Sequence, residues 1–234
     1  MYLMRGLLLF LFLLFSLNLF AQDTVNVKDA AGRRQGYWQR LDTAGRKIYE
    51  GHFKDNIPVG EFRYYYPNGK IKVINIMSDN GHKAHSTAFF QGGYKMAEGI
   101  YIDEKRDSTW RFYSEYDGKL VSEETYKGGV KDGYSLTYYG GEGLAEKSSW
   151  KNGVMDGPWE QYYTDGKIRI AGNYRNGLRD GQVKTFYDSG QVMMDGQYIE
   201  GDPDGTWFYY DENGKLIKKE TYKGGKLTGT EEMK

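Results

Sequence analysis

The fold is decided by the stretch Gly205-Thr-Trp207-Phe-Tyr-Tyr210-Asp-Glu-Asn213-Gly214-Lys-Leu-Ile-Lys-Lys-Glu-Thr-Tyr222-Lys-Gly-Gly225. It begins with an aromatic segment, turns at Asn-Gly and ends in a mixed segment that closes with Tyr222. Asn-Gly accepts the positive φ angles of a tight turn, so the stretch is typical of one β-hairpin followed by a glycine-rich loop.

The same unit recurs along the chain at a nearly constant spacing. We use the glycine before each aromatic strand as its marker, and the steps from Gly157 to Gly181 and from Gly181 to Gly205 are each 24 residues. The markers are Gly36, Gly60, Gly133, Gly157, Gly181, Gly205 and Gly229, with Ala84 and Ser108 in the same phase. A fixed period of this kind predicts a repeat array.

Two positions after the marker carry most of the rings. The second position, which we call the tryptophan column, contains Trp38, Phe62, Ser86, Trp110, Ser135, Trp159, Val183 and Trp207. The fifth-position column contains Leu41, Tyr65, Phe89, Tyr113, Tyr138, Tyr162, Phe186 and Tyr210. These positions differ in parity, so either a bulge redirects one column or both faces of the sheet carry rings.

The predicted fold is all-β: an elongated, twisted antiparallel sheet of tandem β-hairpins, about eight copies of 24 residues. A lone hairpin is marginally stable in water, and stacking against its neighbours pairs its edges and covers its rings. Glycine or Asn-Gly interrupts every candidate helix. The predicted divisions are a lead at 22–35, the array at 36–229 and a charged tail at 230–234.

Residues 1–21 have the pattern of a secretory signal peptide. Arg5 precedes an apolar run from Leu7 to Phe20, and the small residue Ala21 follows it. The run is about 14 residues, shorter than the roughly 20 that cross a bilayer. We therefore expect an exported mature chain without a transmembrane segment, located in the periplasm, at the cell surface or outside the cell.

Composition disfavours a nucleic-acid partner. The sequence has 32 Lys and Arg against 32 Asp and Glu, and loss of Arg5 with the signal leaves 31 against 32. A net charge near zero gives no basic surface for nucleic acid.

The repeat unit resembles the MORN repeat, and most closely its variant subfamily. One example is Gly157-Pro-Trp159-Glu-Gln-Tyr162-Tyr163-Thr-Asp-Gly166-Lys167 with Tyr174-Arg-Asn-Gly177. Another is Ser108-Thr-Trp110-Arg-Phe-Tyr113 with Tyr126-Lys-Gly-Gly129. The resemblance implies a hairpin array that contacts proteins or membranes. Bacterial proteins of this type are grouped with YwqK-like antitoxins, a label that implies binding rather than catalysis.

The rings are candidates both for the core and for a partner surface. We expect the fifth-position column to form the core, and the tryptophan column to be the likelier to face a partner. The predicted binding residues are Trp38, Trp110, Trp159 and Trp207. The predicted core residues are Tyr65, Phe89, Tyr113, Tyr138, Tyr162, Phe186 and Tyr210.

The sequence gives little support for catalysis, a metal or a cofactor. His82 and His85 lie three apart, which on a strand places them on opposite faces. Adjacent acids such as Asp103-Glu104 point apart for the same reason, whereas a glycosidase pair must face each other. No nucleophile elbow, phosphate loop or dinucleotide motif is present.

We therefore predict an exported, non-enzymatic repeat protein that serves as a protein-binding or scaffolding surface. The first alternative is an envelope- or carbohydrate-binding module that uses exposed Trp and Tyr. The second is an antitoxin-like partner that neutralises a toxin. A hydrolase would need a concave cluster of acids or histidines, which the sequence does not offer.

Overall fold

The computed structural model describes residues 24–234, so the predicted signal peptide lies outside the described residues. Nineteen strands form a single antiparallel sheet that stays open. Eight hairpins follow one another, and β1 and β19 flank them. The predicted all-β fold of tandem hairpins is therefore confirmed.

The strands pair in chain order, and β13 pairs with both β14 and β15. A single 3₁₀ turn, Asp79–Gly81, is the only helical element within residues 24–234. The strands are β1 (Val27–Lys28), β2 (Arg34–Leu41), β3 (Lys47–Lys54), β4 (Ile57–Tyr65), β5 (Ile71–Ser78), β6 (Lys83–Phe89), β7 (Lys95–Ile102), β8 (Lys105–Tyr113), β9 (Leu120–Lys127), β10 (Val130–Tyr139), β11 (Glu142–Lys151), β12 (Val154–Tyr162), β13 (Ile168–Arg175), β14 (Leu178–Arg179), β15 (Gly181–Phe186), β16 (Val192–Ile199), β17 (Asp202–Tyr210), β18 (Leu216–Lys223) and β19 (Lys226–Glu232).

The marker residue lies in a bulge between consecutive hairpins. Gly60 and Gly205 have φ angles of 66° and 72°, and the pairing register shifts beside each of them. Ser108 keeps the bulge with φ at 60°, in a region that an L side chain enters at a cost. At Ala84 the pairing of β5 with β6 has no shift, so the third repeat has a straight first strand.

Both faces of the sheet carry rings, which resolves the parity question. Within each hairpin the register shift lies at the turn end, with the extra residue on the second strand, as beside Tyr209 and Tyr210. The first strand therefore keeps its alternation, and its second and fifth positions face opposite sides. We call the side of the tryptophan column the tryptophan face.

Hydrogen bonds between neighbouring repeats run along both edges of the array. On the turn edge, the sixth-position tyrosine donates its hydroxyl to a backbone carbonyl of the next repeat, and Tyr163 Oη lies 2.6 Å from Phe186 O. Tyr66, Tyr139 and Tyr187 make the same bond. On the loop edge, the aspartate before the marker accepts from the next loop, and Asp156 Oδ2 lies 3.1 Å from Asn176 N.

The two ends of the sheet differ. At the start, Asn26 exchanges two hydrogen bonds with the backbone of Gln39, of 3.0 and 2.9 Å, so a side-chain amide imitates a pairing strand. Residues of the predicted lead thus cover the first edge. At the other end, all residues of β19 are exposed, and the strand runs through Glu232 into the predicted tail.

Candidate interaction surface

The tryptophan column is the core of the sheet. Trp110, Trp159 and Trp207 are 2%, 7% and 4% exposed, and Trp38 in the first repeat is half-buried. They lie in the first, fourth, sixth and eighth repeats, so the fold does not gather them into one site. The expectation that the tryptophan column would be the more exposed of the two columns was wrong, because three of the four predicted binding tryptophans are buried by their neighbours.

Rings from adjacent strands bury each tryptophan edge to face. The centroid of Trp110 lies 4.8 Å from that of Tyr101, and Trp207 lies 5.1 Å from Tyr198. These tyrosines end the second strands of the preceding repeats. Burial of this kind also satisfies the indole of Trp110, whose Nε1 donates to Ile100 O at 3.0 Å.

Cations cover several of these rings on the tryptophan face. The guanidinium carbon of Arg106 lies 4.7 Å from the Trp110 ring centre, and that of Arg34 lies 3.8 Å from the Phe53 ring centre. Arg179 lies over Trp159 at 5.5 Å, and Lys131 Nζ lies over Trp150 at 4.7 Å. All four cations stand two positions before a marker, where they shield the rings from solvent.

A glycine in the preceding strand makes room for three of the large rings, Phe62, Trp110 and Trp207, whereas Ser148 stands opposite Trp159. A Cβ at Gly99 would lie 2.4 Å from Trp110, and one at Gly196 would lie 2.2 Å from Trp207. In the third repeat the sizes are reversed. The larger residue, Asn75, is in the preceding strand, and it pairs with the small Ser86. The sequence analysis did not detect that a small residue in one strand accompanies a large ring in the next, although this is visible when the eight repeats are aligned on their markers.

The fifth-position column lies on the opposite face and is half-buried. This holds for all seven predicted core residues: Tyr65, Phe89, Tyr113, Tyr138, Tyr162, Phe186 and Tyr210. The prediction that this column forms the main core was wrong, because one face of a single-layer sheet is covered only by its own neighbouring side chains.

Three tyrosines of the fifth-position column bond to carboxylates of the preceding repeat. Tyr138 Oη donates to Glu123 at 3.0 Å, and Tyr65 and Tyr113 donate in the same way to Glu50 and Glu98. Where this column has Phe89 or Phe186, the residue fifteen positions earlier is Ile74 or Ala171. At these five positions the pair is polar or apolar according to the repeat before it, whereas Tyr162 donates to Glu160 of its own strand.

These bonds shift the ionisation of both partners. Burial raises the pKa of Tyr113 to about 12, with a further contribution from the hydrogen bond to Glu98. Burial also acts to raise the pKa of Glu50, but hydrogen bonds from Lys47, Tyr37 and Tyr65 outweigh it and lower that pKa to about 2. Both shifts favour the hydrogen-bonded pair at neutral pH.

The third repeat interrupts the aromatic row and leaves a groove on the tryptophan face. Ser86 stands where the adjacent second and fourth repeats have the rings of Phe62 and Trp110, and the neighbouring residues Ala84, Ala88 and Ala97 are small. Two adjoining concavities of about 560 and 340 Å³ result, and both are lined by Tyr64, Asn75 and Tyr101. We call this surface the third-repeat groove.

The groove has rings on its sides and an arginine in each concavity. Arg34, Phe53 and Phe62 line the larger concavity, whereas Arg106, Trp110 and Phe112 line the smaller one. Asn75 Oδ1 is buried there and has no hydrogen-bond donor within the described part of the chain. The arrangement can hold an apolar or aromatic group and offers it polar contacts.

The side chains of His82, His85, Asp103 and Glu104 are exposed. His82 Nδ1 lies 2.7 Å from Asp103 Oδ1, both side chains are exposed, and the bond with Asp103 raises the pKa of His82. No group of three or more potential metal ligands occurs among residues 24–234. The same residues include no helix that is both long and apolar enough for a membrane span.

Comparisons with solved structures give matches of low sequence identity and low TM-score. The chain is similar to parts of "Crystal Structure of TcdB2-TccC3-Cdc42", at 13% identity over 85% of this chain and 12% of that one, with a TM-score of 0.24. For "Crystal Structure of TcdB2-TccC3-TEV" the values are 14%, 83%, 13% and 0.21. These TM-scores are too low to show a shared fold. No curated protein matches the chain.

A family model matches four segments of the chain. The model is that of the MORN repeat variant, and the matched residues are 58–75, 155–176, 179–200 and 203–223. They fall in the second, sixth, seventh and eighth hairpins. The third repeat, which has the groove, and the fifth, with its longer turn, lie outside the matches. The second hairpin and the last three are therefore repeats of the MORN variant type.

Proposed function

We propose that the protein is exported and acts by binding another protein through its open sheet, without catalysing a reaction. MORN repeats are in general modules that bind proteins or membranes. The observation that carries the proposal is the third-repeat groove, where small residues leave an open space between the buried rings of Phe62 and Trp110. Concave surfaces that combine rings with a few polar groups are typical binding sites.

Apolar side chains exposed along the array support a broad contact. Val130, Val154 and Leu178 occupy the same position in three consecutive loops and are 46%, 44% and 49% exposed. They form a ridge along the loop edge. Regularly spaced apolar groups on a surface are a feature of protein-binding sites.

A capture experiment tests this function. The chain from residue 22 to 234 is immobilised and exposed to envelope extract of the producing cell, in parallel with the variant Asn75→Gly/Ser86→Trp. That variant copies the Gly99–Trp110 pair and fills the groove from within. We expect a protein that binds the native chain, binds again after purification, and is lost with the filled groove.

Export needs its own measurement. Protein recovered from the envelope or the medium is sequenced from its N-terminus, and the expected first residue is Gln22. Recovery of the full-length chain from the cytosol alone would contradict the export proposal.

A glycan is the second candidate, because Tyr64 and Tyr101 could stack on a sugar while Asn75 Oδ1 accepts from a hydroxyl. Quenching of tryptophan fluorescence by one member of an envelope glycan array would favour it. The antitoxin-like role is a narrower form of protein binding, and it requires that the captured protein be toxic when it is expressed alone.

A further inference from the structure

The third-repeat groove lacks the ring that Phe62 and Trp110 provide in the repeats on either side. In the fourth repeat, Trp110 stands opposite Gly99 and fills the space between Tyr101 and Tyr126. In the third repeat the corresponding pair is Ser86 with Asn75, and the space above it is open. The two concavities together exceed the volume of one indole side chain, so a ring from outside fits between the groove walls.

An unpaired acceptor on the groove floor restricts the kind of ring. Asn75 Oδ1 is buried and has no donor among residues 24–234. A buried acceptor without a partner is unfavourable, so an occupant whose donor reaches Asn75 is favoured over one that has no donor. Tryptophan and tyrosine side chains carry such a donor. Within the protein, Trp110 already donates from its indole to Ile100 O at 3.0 Å.

Two arginines determine the charge of the occupant. Arg34 and Arg106 line the groove, and neither has a carboxylate within 4 Å in the described structure. Each guanidinium stacks on a ring, which leaves N–H groups at its edge available. Glu104 opposes them with one negative charge, and His82 is paired with Asp103. Arg34 donates to Asn56 O at 3.5 Å and Arg106 to Tyr126 Oη at 3.3 Å, both of which are uncharged acceptors. Two arginines that lack a carboxylate partner favour carboxylates over a neutral sugar.

The spacing of these arginines sets the length of the occupant. They stand three repeats apart, that is six strands, or roughly 29 Å at the usual spacing between strands. An extended segment of about nine residues spans this distance. Carboxylates at its two ends would reach the arginines while a ring at its centre enters the groove.

We propose that the third-repeat groove binds an extended acidic segment of a partner protein, with one Trp or Tyr side chain inserted above Ser86 and Asn75. This inference rests on the proposed protein-binding function and specifies the chemistry of the partner. The inserted ring takes the place of the ring missing from the row and donates to Asn75. The acidic flanks pair with Arg34 and Arg106.

Synthetic peptides test the inference on the native chain. Residues 22–234 are titrated calorimetrically with the peptide acetyl-Glu-Glu-Gly-Ser-Trp-Ser-Gly-Glu-Glu-amide. Replacing its Trp with Ala is expected to weaken binding at least about tenfold, and so is replacing its four Glu with Lys. Raising NaCl from about 0.05 to about 0.5 M is expected to weaken binding of the acidic peptide. Equal binding of the Trp and Ala peptides would overturn the proposal, and so would equal binding of the Glu and Lys peptides.

Two variants locate the binding. Asn75→Gly/Ser86→Trp is expected to abolish detectable binding of the acidic peptide. The matched control Val183→Trp, which stands opposite Gly172, adds a ring in the seventh repeat and is expected to bind as the native chain does. Unchanged binding by the groove-filled variant would place the site elsewhere. If no peptide binds, yet the filled groove still loses the captured envelope protein, the inferred chemistry fails and the proposed function stands.

Discussion

At three places in the array, a glycine in the second strand of one hairpin makes room for a large ring of the next hairpin. Gly51, Gly99 and Gly196 each face such a ring, and a Cβ at any of them would lie within 3 Å of it. These rings are buried and closely packed, so they cannot move aside at low cost. The stability of the array therefore depends on residues whose only contribution is their small size.

We expect Gly196→Ala to destabilise the protein by about 1–3 kcal/mol, the usual cost of overpacking a core. The reason is the 2.2 Å separation between the new Cβ and Trp207 Cδ2. Urea denaturation followed by tryptophan fluorescence measures the change. In the control Gly229→Ala the nearest atom is 4.0 Å away, and a change within about 0.5 kcal/mol is expected. Equal effects of the two variants would show that the ring contact is unimportant.

A substitution at Ser108 is expected to stabilise the protein. It occupies a marker position with φ at 60°, where six repeats use glycine. Removing the side chain should relieve about 1 kcal/mol of backbone strain, so Ser108→Gly is expected to raise the free energy of unfolding. Thermal and urea unfolding both report it.

Ala84→Gly is the matched control, because the third repeat has no bulge at its marker. A glycine in a straight strand loses more conformational entropy on folding, and we expect a loss of about 0.5–1 kcal/mol. Stabilisation of both variants would mean that strain at Ser108 is not the cause.

Hairpins as elements were predictable, because Asn-Gly turns and the marker period are local signals. The burial of the tryptophan column was not predictable from the sequence. The fifth-position column has a ring or an apolar residue in every repeat, so it looked like the core, whereas the tryptophan column also contains serine and valine. Residues from neighbouring strands make the tryptophan column the more buried of the two. Gly99 or Gly196 in the preceding strand makes room for the indole, and Arg106 or Tyr198 covers it. The pairing register that brings these residues together is absent from any single hairpin sequence.

The groove could not be located from sequence for a related reason. Ser86 and the small residues near it marked the third repeat as degenerate, but Ser135 marks the fifth repeat in the same way. In the fifth repeat, Glu124 stands opposite Ser135, and the same face carries Trp150 with Lys131 over its ring. In the third repeat, Asn75 and Tyr101 take the places of Glu124 and Trp150, and Asn75 Oδ1 has no donor among residues 24–234. The difference lies in the side chains of adjacent strands.

The bonds that join hairpins on the opposite face predict a pH dependence. Glu50 has a pKa lowered from 4.5 to about 2 by Lys47, Tyr37 and Tyr65, against the effect of burial. A depressed carboxylate pKa stabilises the fold at pH above its unfolded value, and that stabilisation is lost as the pH falls from about 4.5 towards 2. We expect Glu50→Gln to lose less stability than the native chain over this range, as measured by urea midpoints.

Its control is Glu212→Gln, in an exposed hairpin turn, which should follow the native pH profile. If Glu50→Gln also reproduces that profile, the tyrosine and lysine bonds to Glu50 do not contribute to folding.

At the scale of the molecule, stability should be a sum over neighbours. The extensive contacts join strands that are adjacent in the sheet, and the bonds along both edges reach only the next repeat. Arrays of this kind lose stability in steps as terminal units are removed, while the rest stays folded. The loss of stability per removed strand can be measured at the C-terminal end. The last two strands differ there, because only β18 contributes a ring that packs against Trp207.

We expect truncation after Gly224, which removes β19, to cost little, because every residue of β19 is exposed. Truncation after Asp211 also removes β18 and with it Tyr222, whose ring lies 5.9 Å from that of Trp207. Trp207 is then uncovered on one side, and we expect a further loss of about 1.5–3 kcal/mol, the value of burying one large side chain. Urea unfolding and hydrogen exchange report both steps, with amides of the first four repeats protected as in the full chain. Loss of protection there after either cut would show that the array unfolds as one cooperative unit, contrary to a nearest-neighbour sum.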